Sequence, residues 1–561
     1  MPPAKREERS EGTDSPTRDR RVGSRLMSKQ RPALLSRPVG EWLLLIAAAM
    51  LIVTVVGCMV GPDYKPPATK LSEKWNGNDQ QMKDAAKQGT KTDLATWWEA
   101  FDDPLLNAVI AQAQSSNLDE KIALARIREE RAYLVISRAG LYPSIDTSGY
   151  YTRQRYSANT PFGFFPQVLP RDENIYEAGF DASWELDVFG GIRRGVEASK
   201  AELAASIENA RDVQVSLLAE VARDYVAVRA LERRLQIARA NLHDQNDSLR
   251  LAQARFEQGF APELDVFQAR SLLETTQAQV PELESELAQT IHRTSVLLGR
   301  EPDALQAELS DMAPIPGIAD PDAIAVQIPA GLPSDLLRRR PDIRAAEREI
   351  AAAAARVGVA TADLFPKFSI TGTAGLESIS PGDFFFGTSR MWQVGPSMTW
   401  PIFEGGRIRA NIEVRNAQEE QALLYYRKTV LSALAEVEDS LVAYAKERTR
   451  HQALAASVED FKRSAVLARD RYEEGYATYL DVLEAQRSLY GAQDSLAQSD
   501  QLIIDDLIAI YKALGGGWQT DAQIRSADAV INLPPVAVVR GALPPLGRVW
   551  WFHRGNLFSV G

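Results

Sequence analysis

The chain has 561 residues, of which 25% are charged and 45% hydrophobic, and its formal net charge is −11 at pH 7. This is the composition of a folded protein, and its acidic balance argues against a nucleic-acid partner. A single cysteine excludes a disulfide framework, the four histidines have no paired spacing, and no nucleotide-binding or hydrolase motif occurs, so we expect no metal, no cofactor and no enzyme.

Residues 1–57 predict a secretory signal peptide. Basic residues precede an unbroken neutral run, Leu43–Val56, which is apolar apart from Thr54 and short for a membrane-spanning helix. No apolar period precedes Met27, so the true start of translation is predicted there. The run ends in Val55–Cys58, which resembles a bacterial lipobox and predicts lipidation of Cys58. The alternative is a signal anchor that ends at a buried cysteine.

Two stretches of the chain are nearly the same. RFEQGFAPELDVFQA at 255–269 and RYEEGYATYLDVLEA at 471–485 are identical at eight of fifteen positions, at an offset of 216 residues. Upstream, Leu141-Tyr-Pro corresponds to Leu364-Phe-Pro. Two segments that begin with tryptophan, 184–191 and 400–406, also correspond, and each ends in a double glycine. A repeat of this length is a whole structural unit used twice rather than an array of short modules.

The repeat divides the chain into six predicted segments. They are the signal peptide 1–57, an extended lipidated segment 58–103, the first repeat 104–300, a linker 301–340, the second repeat 341–516 and a tail 517–561.

Each repeat begins with a helical stretch, 104–139 or 341–363, and continues with two segments in which polar and apolar residues alternate. This period of two predicts strands, and their length suits a tilted crossing of a bilayer. The predicted strands are 143–153 and 175–187 in the first repeat and 366–376 and 391–401 in the second.

A long helical hairpin follows the strands in each repeat, at 192–299 and at 407–514. The outgoing arm lacks proline, has apolar residues at helical spacing, and at roughly sixty-five residues would measure about 100 Å. Gly259 and Gly475 are predicted to turn the chain into the return helix.

Four membrane strands cannot form a closed barrel on their own, and an open edge in lipid leaves backbone groups without hydrogen bonds. Other copies of the chain must therefore supply the missing partners. Two copies would give eight strands and three copies would give twelve.

The strand pairs, the long helices, the shared turn motif, the double-glycine exits and the lipobox together resemble the TolC-type outer-membrane efflux channels. LPSDLLRRRPDIRAAE at 332–347 resembles the signature of their NodT-like lipoprotein branch. The resemblance covers about 60–520. It implies a mainly α fold with membrane β-strands, in which a trimer forms a twelve-stranded β-barrel and a periplasmic α-helical barrel. The tail after about 525 has no family counterpart, and either a disordered end or a contact surface fits it.

The function implied by the resemblance is the exit duct of a tripartite efflux system, which passively conducts drugs and other solutes across the periplasm and the outer membrane and so contributes to antibiotic resistance. The implied partners are two further copies, a periplasmic adaptor, an inner-membrane pump of the resistance-nodulation-division class, and outer-membrane lipid. Two alternatives remain: a type I secretion duct, and a lipid-anchored periplasmic coiled-coil scaffold.

The resemblance also implies which residues form the periplasmic constriction. By motif position these are Asp481 and Glu484, with Tyr472 among the gating contacts and Asp265 as the repeat partner of Asp481. A structural alternative is that Thr478 and Asp481 cap a helix. The aromatic loops between the strands either fold inward or anchor the protein at the membrane interface, and Arg338–Arg340 are expected to form a solvated, salt-bridging cluster.

Overall fold

A computed structural model describes most of the chain after the predicted signal peptide. The described residues are 59–68, 93–157, 159, 172–309, 312–326, 328 and 333–518. The predicted signal peptide, Cys58 and the predicted tail beyond Trp518 therefore lie outside the described residues. Within the described parts, no helix combines the length and the apolar character needed to cross a membrane.

A short 3₁₀ helix precedes the first repeat, which contains two helices, a strand hairpin and a pair of long helices. In chain order they are the 3₁₀ helix Leu94–Phe101, α1 Pro104–Ser116, α2 Leu118–Ala139, β1 Ser144–Arg155, β2 Asp172–Leu186, α3 Gly191–Glu257 and α4 Glu263–Leu297.

In the second repeat, a single helix precedes the strand hairpin and the pair of long helices. Short helices at Pro321–Val326, Pro333–Asp335 and Leu336–Arg339 lead into α5 Pro341–Ala362, β3 Lys367–Ser378, a 3₁₀ turn Gly387–Ser389, β4 Arg390–Thr399, α6 Arg407–Glu473 and α7 Tyr479–Ala513.

The long helices of the two repeats match residue for residue in length. Helices α3 and α6 each contain 67 residues, and α4 and α7 each contain 35. At a rise of about 1.5 Å per residue, the outgoing arms are about 100 Å long. The fold class expected from the sequence, two repeats of strand hairpin and long helical hairpin, is confirmed.

The helical stretch expected over 104–139 is present as two helices, α1 and α2, which are separated at Asn117. The backbone leaves the helical region at Asn117, where φ is −55° and ψ is 139°. The Asn117 side chain accepts from the Glu120 N–H at 2.9 Å, which caps α2, and its amide donates to the Leu297 carbonyl at 2.8 Å. A cap combined with a contact to the end of α4 therefore breaks the helix.

The four strands form one antiparallel sheet in the order β1-β2-β3-β4. The central pairing joins the two repeats, with Trp184 of β2 opposite Ile370 of β3. Within the described part of the chain, β1 pairs only with β2 and β4 pairs only with β3. The sheet therefore has two open edges.

The two faces of the sheet differ in polarity. One face carries large apolar side chains that are exposed in the single chain: Ile145, Phe180, Trp184, Ile370, Trp392, Val394 and Met398. The opposite face carries Asp146, Ser148, Asp181, Ser369, Thr371 and Ser397. Because alternate residues of a strand point to opposite faces, the register places one apolar and one polar surface back to back.

The main core lies around the middle of the long helices. The Trp97 ring stacks on that of Tyr511 with centroids 5.3 Å apart, so the segment before α1 is packed against the end of α7. Both rings belong to a buried apolar cluster that also contains the middle of α3 and of α6. This cluster fixes the long helices at the centre and leaves their far ends to be held by other contacts.

The prediction of a solvated arginine cluster is wrong for Arg340, whose exposed fraction is 8%. Its guanidinium pairs with Asp342 and with Glu436, both at 2.7 Å, and donates to the Ala513 carbonyl at 3.0 Å. These partners lie on α5, α6 and the end of α7. Arg340 is therefore a buried connection between the end of the linker and the second repeat.

Residues 59–68 form an extended strap along the helices. The Val60 N–H donates to the Phe189 carbonyl at 3.1 Å, next to the end of β2. Arg194 of α3 donates to the Val60 carbonyl at 3.1 Å and pairs with Asp63 at 2.7 Å. The strap therefore begins at the junction between the sheet and the long helices.

Candidate functional site

The candidate site is the end of the molecule opposite the sheet, where the two long helical hairpins turn. Gly259 and Gly475 stand at the turns with φ of 77° and 84°, in the left-handed region that favours glycine. The next N–H in each turn, Phe260 or Tyr476, donates back to the carbonyl of the motif arginine at 2.8 Å. The repeated motif therefore builds the same turn twice.

A buried hydrogen bond between two side chains joins the two turns. The Tyr472 hydroxyl at the end of α6 donates to Asp265 Oδ2 at the start of α4, at 3.0 Å. Both groups are buried, with exposed fractions of 3% and 9%. Burial, followed by the interaction with Asp265, raises the pKa of Tyr472 above its ordinary value, so its phenol stays protonated as the donor.

Two further side chains complete this contact. The Tyr479 ring meets the Tyr472 ring edge-on with centroids 5.4 Å apart, and burial raises the pKa of Tyr479 to about 12. Arg255 of the first repeat lies over the Tyr472 ring at 4.9 Å and donates to the Glu473 carbonyl at 2.7 Å. Arg255 of the first hairpin therefore contacts the second hairpin both at the Tyr472 ring and at the backbone.

Asp481, the repeat partner of Asp265, has a different local role. Its Oδ2 accepts from the Thr478 N–H at 2.9 Å and from the Thr478 hydroxyl at 2.8 Å, forming a capping box at the start of α7. These bonds lower the pKa of the Asp481 carboxyl. The capping alternative therefore describes its contacts within one chain, although Asp481 is also exposed.

Glu484 is exposed one turn further along α7, and its only described ion pair is to Arg487 at 3.7 Å. The structure thus brings Tyr472 and Asp265 together and leaves Asp481 and Glu484 on the surface of the chain. Whether those two carboxylates line a constriction stays a prediction. Around the tips, no group of His, Cys, Asp or Glu among the described residues could hold a metal ion.

Two differences between the repeats account for the different roles of the two aspartates. Phe256 stands in the first repeat where Tyr472 stands in the second, so no equivalent hydroxyl can donate to Asp481. The position before α7 is Thr478, whose N–H and hydroxyl both bind Asp481. The equivalent position before α4 is Pro262, which has neither group. Asp265 cannot cap its own helix in this way, and its carboxylate is available to Tyr472.

Sequence reasoning missed Arg255 and Tyr479. Arg255 opens the repeated motif and is matched by Arg471, so the repeat itself marked the position. Tyr479 has no aromatic counterpart, because the equivalent residue in the first repeat is Glu263. Its position at the start of a helix gave no sign that it would be buried.

Comparison with known proteins gives one family and many relatives. The family model described as "Outer membrane efflux protein" matches residues 109–300 and 332–516. The "Solvent efflux pump outer membrane protein SrpC" of Pseudomonas putida is 33% identical over 462 residues, covering 82% of this chain and 96% of the relative. "Nodulation protein T" of Rhizobium leguminosarum bv. viciae is 33% identical over 478 residues, covering 84% and 93%.

Solved structures agree with these sequence relatives. The outer-membrane channel OprN is similar with a TM-score of 0.74 and 35% identity, covering 82% of this chain and 100% of that one. The Campylobacter jejuni CmeC outer membrane channel gives a TM-score of 0.76 at 24% identity, covering 85% and 99%, and this likeness concerns the fold alone.

The contact between Tyr472 and Asp265 is tested by removing the tyrosine hydroxyl. In Tyr472→Phe, the buried Asp265 carboxylate loses its donor, and an unsatisfied buried acceptor costs about 1–3 kcal/mol. We expect faster amide hydrogen exchange at both turns, measured by mass spectrometry. The control is Tyr476→Phe, since the Tyr476 side chain is 74% exposed and its hydroxyl makes no described contact with the other hairpin. Equal exchange at the turns in Tyr472→Phe and in the unaltered protein would contradict the proposed strength of this contact.

Proposed function

The chain belongs to the outer membrane efflux protein family and is an outer-membrane efflux channel, and we propose that three copies assemble into the exit duct of a tripartite efflux system. The duct conducts solutes passively, so we propose no catalytic step for this chain. The observation that carries the assembly is the four-stranded sheet with two open edges and one exposed apolar face.

The backbone groups on the two open edges of the sheet need hydrogen-bond partners, and other copies of the chain can supply them. In hydrocarbon, each unpaired backbone group costs several kcal/mol, so β1 and β4 each require a partner strand. Pairing β4 of one copy with β1 of the next satisfies both edges at once. Three copies of a four-stranded sheet give twelve strands, with the apolar face toward lipid and the polar face toward the lumen.

The helices extend the same arrangement into the periplasm. The outgoing arms leave the sheet directly, and their length of about 100 Å suits a long tunnel. Helix α6 keeps large apolar side chains exposed in the single chain, and neighbouring copies would cover them: Val414, Leu424, Leu431, Val442, Val466 and Leu467.

The partners we propose are a periplasmic adaptor and an inner-membrane pump of the resistance-nodulation-division class. The tips carry exposed apolar side chains at Phe260, Leu264, Tyr476 and Leu480. Exposed apolar patches with polar surroundings mark protein-binding surfaces. Relatives named for solvent efflux and nodulation are each 33% identical to this chain over most of its length. We propose that the pump, rather than this chain, sets which solutes are carried.

The duct proposal is tested by purified protein in detergent and in planar bilayers. We expect a native mass of three chains and a stepwise ionic conductance after insertion. A stable folded monomer would contradict the assembly, because it would leave β1 and β4 unpaired in the detergent's apolar interior. A trimer that never conducts would contradict the duct.

We propose that Cys58 carries the lipid anchor. Met59, the next residue, packs against Gly190 at the junction of β2 and α3, where an added Cβ would lie 2.7 Å from Met59 Cγ. Gly61 adopts a φ of 90° and lies so close to Gly358 that an added Cβ would stand 2.4 Å from the Gly358 Cα. This close packing holds the residues after Cys58 at the membrane end of the helices, within reach of the lipid.

Lipidation is tested by metabolic labelling with a fatty acid. We expect label on the unaltered protein and none on Cys58→Ser, which would also keep its signal peptide. A labelled Cys58→Ser protein would show that the acyl chain lies elsewhere. Recovery of the unaltered protein only with the inner membrane would contradict the proposed location.

We propose that Asp481 and Glu484 narrow the periplasmic mouth, with Tyr472 and Asp265 holding the second hairpin in place. The two carboxylates are three residues apart on α7, so they share one side of the helix. Three copies would place six carboxylates around the opening, and rings of carboxylates favour cations. The Tyr472–Asp265 bond, at the same tip, keeps the hairpins together within each copy.

The double variant Asp481→Ala/Glu484→Ala separates constriction from capping. If the carboxylates line the mouth, conductance rises and cation preference weakens, as measured by the reversal potential in a salt gradient. If they only cap the helix, ion selectivity is unchanged and the melting temperature falls, since loss of a helix cap lowers the free energy of unfolding by about 0.5–2 kcal/mol. Thr478→Val is the control, because it removes part of the cap and keeps both charges.

A further inference from the structure

The apolar face of the sheet becomes basic at the end that lies farthest from the long helices. On β1, Arg153 and Arg155 follow Tyr151 on this face, and on β4, Arg390 precedes Trp392 on the same face. All three arginines are exposed in the single chain. We call Arg153, Arg155 and Arg390 the basic rim.

The basic rim lies just beyond the part of the face that suits hydrocarbon. Tyr151 and Tyr176 pack against each other there, with ring centroids 4.9 Å apart, and aromatic belts mark the boundary between hydrocarbon and headgroups. Trp184 lies near the other end of β2, about 27 Å from Tyr176 along the strand and about 20 Å at the usual strand tilt. The rim is therefore at the level of the headgroups of the outer leaflet.

Charges of opposite sign lie on the two faces of the sheet at this end. The polar face carries Glu173, Glu177 and Glu377, and the last two lie directly opposite each other on β2 and β3. On the other face, the one ion pair of the rim among the described residues joins Arg155 to Asp172 at 3.8 Å, and both side chains are more than half exposed. Basic side chains at a membrane surface attract anionic lipids.

The two repeats pair their strands in the same register. Ile145 of β1 lies opposite Ala182 of β2, and Phe368 of β3 lies opposite Met398 of β4. These pairs are related by offsets of 223 residues between β1 and β3 and 216 residues between β2 and β4, the offsets of the sequence repeat. The register of one pairing can therefore be transferred to its equivalent.

The pairing of β2 with β3 joins the two repeats, and its equivalent between copies is β4 with β1. In the observed pairing, Tyr176 lies opposite Ser378. The equivalent positions are Trp392 and Arg155, so Trp392 of one copy would lie opposite Arg155 of the next. Arg390 would stand diagonally from that Arg155, about 7–8 Å away and within reach of long side chains. Closure of the barrel thus gathers the basic rim at each boundary between copies.

We propose that each boundary binds the phosphate groups of lipopolysaccharide, the acidic glycolipid of the outer leaflet, through Arg390 of one copy and Arg153 and Arg155 of the next. Guanidinium groups bind phosphate oxygens in a bidentate geometry. A headgroup with several phosphates suits three arginines, whereas a phospholipid offers one phosphate. The acyl chains lie over exposed apolar side chains beside the rim, Trp392 and Val394.

This inference rests on the proposed duct, because it needs β4 of one copy to pair with β1 of the next. Three boundaries give three equivalent sites in a trimer. Each site contains residues of two copies, so a single chain has only part of it.

The site is tested by native mass spectrometry of the purified trimer, titrated with a rough lipopolysaccharide. We expect up to three bound molecules per trimer. In Arg153→Gln/Arg155→Gln/Arg390→Gln we expect the affinity to fall roughly tenfold or more, the factor that corresponds to one charge-assisted hydrogen bond. The same fall is expected for unaltered protein when the phosphates have been removed from the glycolipid.

The matched control is Arg250→Gln/Arg450→Gln/Arg463→Gln, which removes three exposed arginines from the long helices. We expect this control to bind lipopolysaccharide as the unaltered protein does. An equal loss of affinity in the control and in the rim variant would overturn the inference, because net charge alone would then explain binding.

Equal affinity for the intact and the dephosphorylated glycolipid would also overturn the inference, and this comparison does not depend on the folding of any variant. Phosphatidylglycerol that binds as tightly as lipopolysaccharide would overturn the choice of the glycolipid. A trimer that shows the expected binding but never conducts would contradict the duct alone. A conducting trimer that binds both forms of the glycolipid alike would contradict the site alone.

Discussion

The structure depends on one constraint: backbone N–H and C=O groups of a strand must find partners wherever water is absent. In a sheet of four strands, the two inner strands have a partner on both sides, whereas β1 and β4 each have backbone groups without a partner on their outer edge. Closure must then come from identical chains. Each outgoing long helix begins shortly after its strand hairpin. Closure of the sheet by identical chains would therefore also arrange the long helices around a common axis.

Duplication gave two copies of one unit, and small differences gave the copies separate tasks. Two differences, Pro262 against Thr478 and Phe256 against Tyr472, account for the different partners of the two aspartates. Asp481 therefore caps its own helix, whereas Asp265 reaches across to Tyr472. The repeated motif has thus produced a contact that occurs once, the hydrogen bond from Tyr472 of the second hairpin to Asp265 of the first.

Local patterns allowed the strands and the long helices to be recognised from the sequence, because alternation, helical spacing and the lack of proline act within neighbouring residues. Contacts between distant residues could not be read in this way. The break at Asn117 depends on the end of α4, and the burial of Arg340 depends on Glu436 and Ala513. The pairing of β2 with β3, and the identity of the partner of Asp265, likewise required the folded chain.

Hydrogen–deuterium exchange of the trimer in detergent micelles, resolved to single amides, shows whether identical chains close the open edges of the sheet. We expect that amides of β1 and β4 pointing away from their own sheet are protected as strongly as those between β2 and β3. Rapid exchange confined to those outward amides, with protected inner strands, would mean that the edges stay open and would contradict the closed barrel.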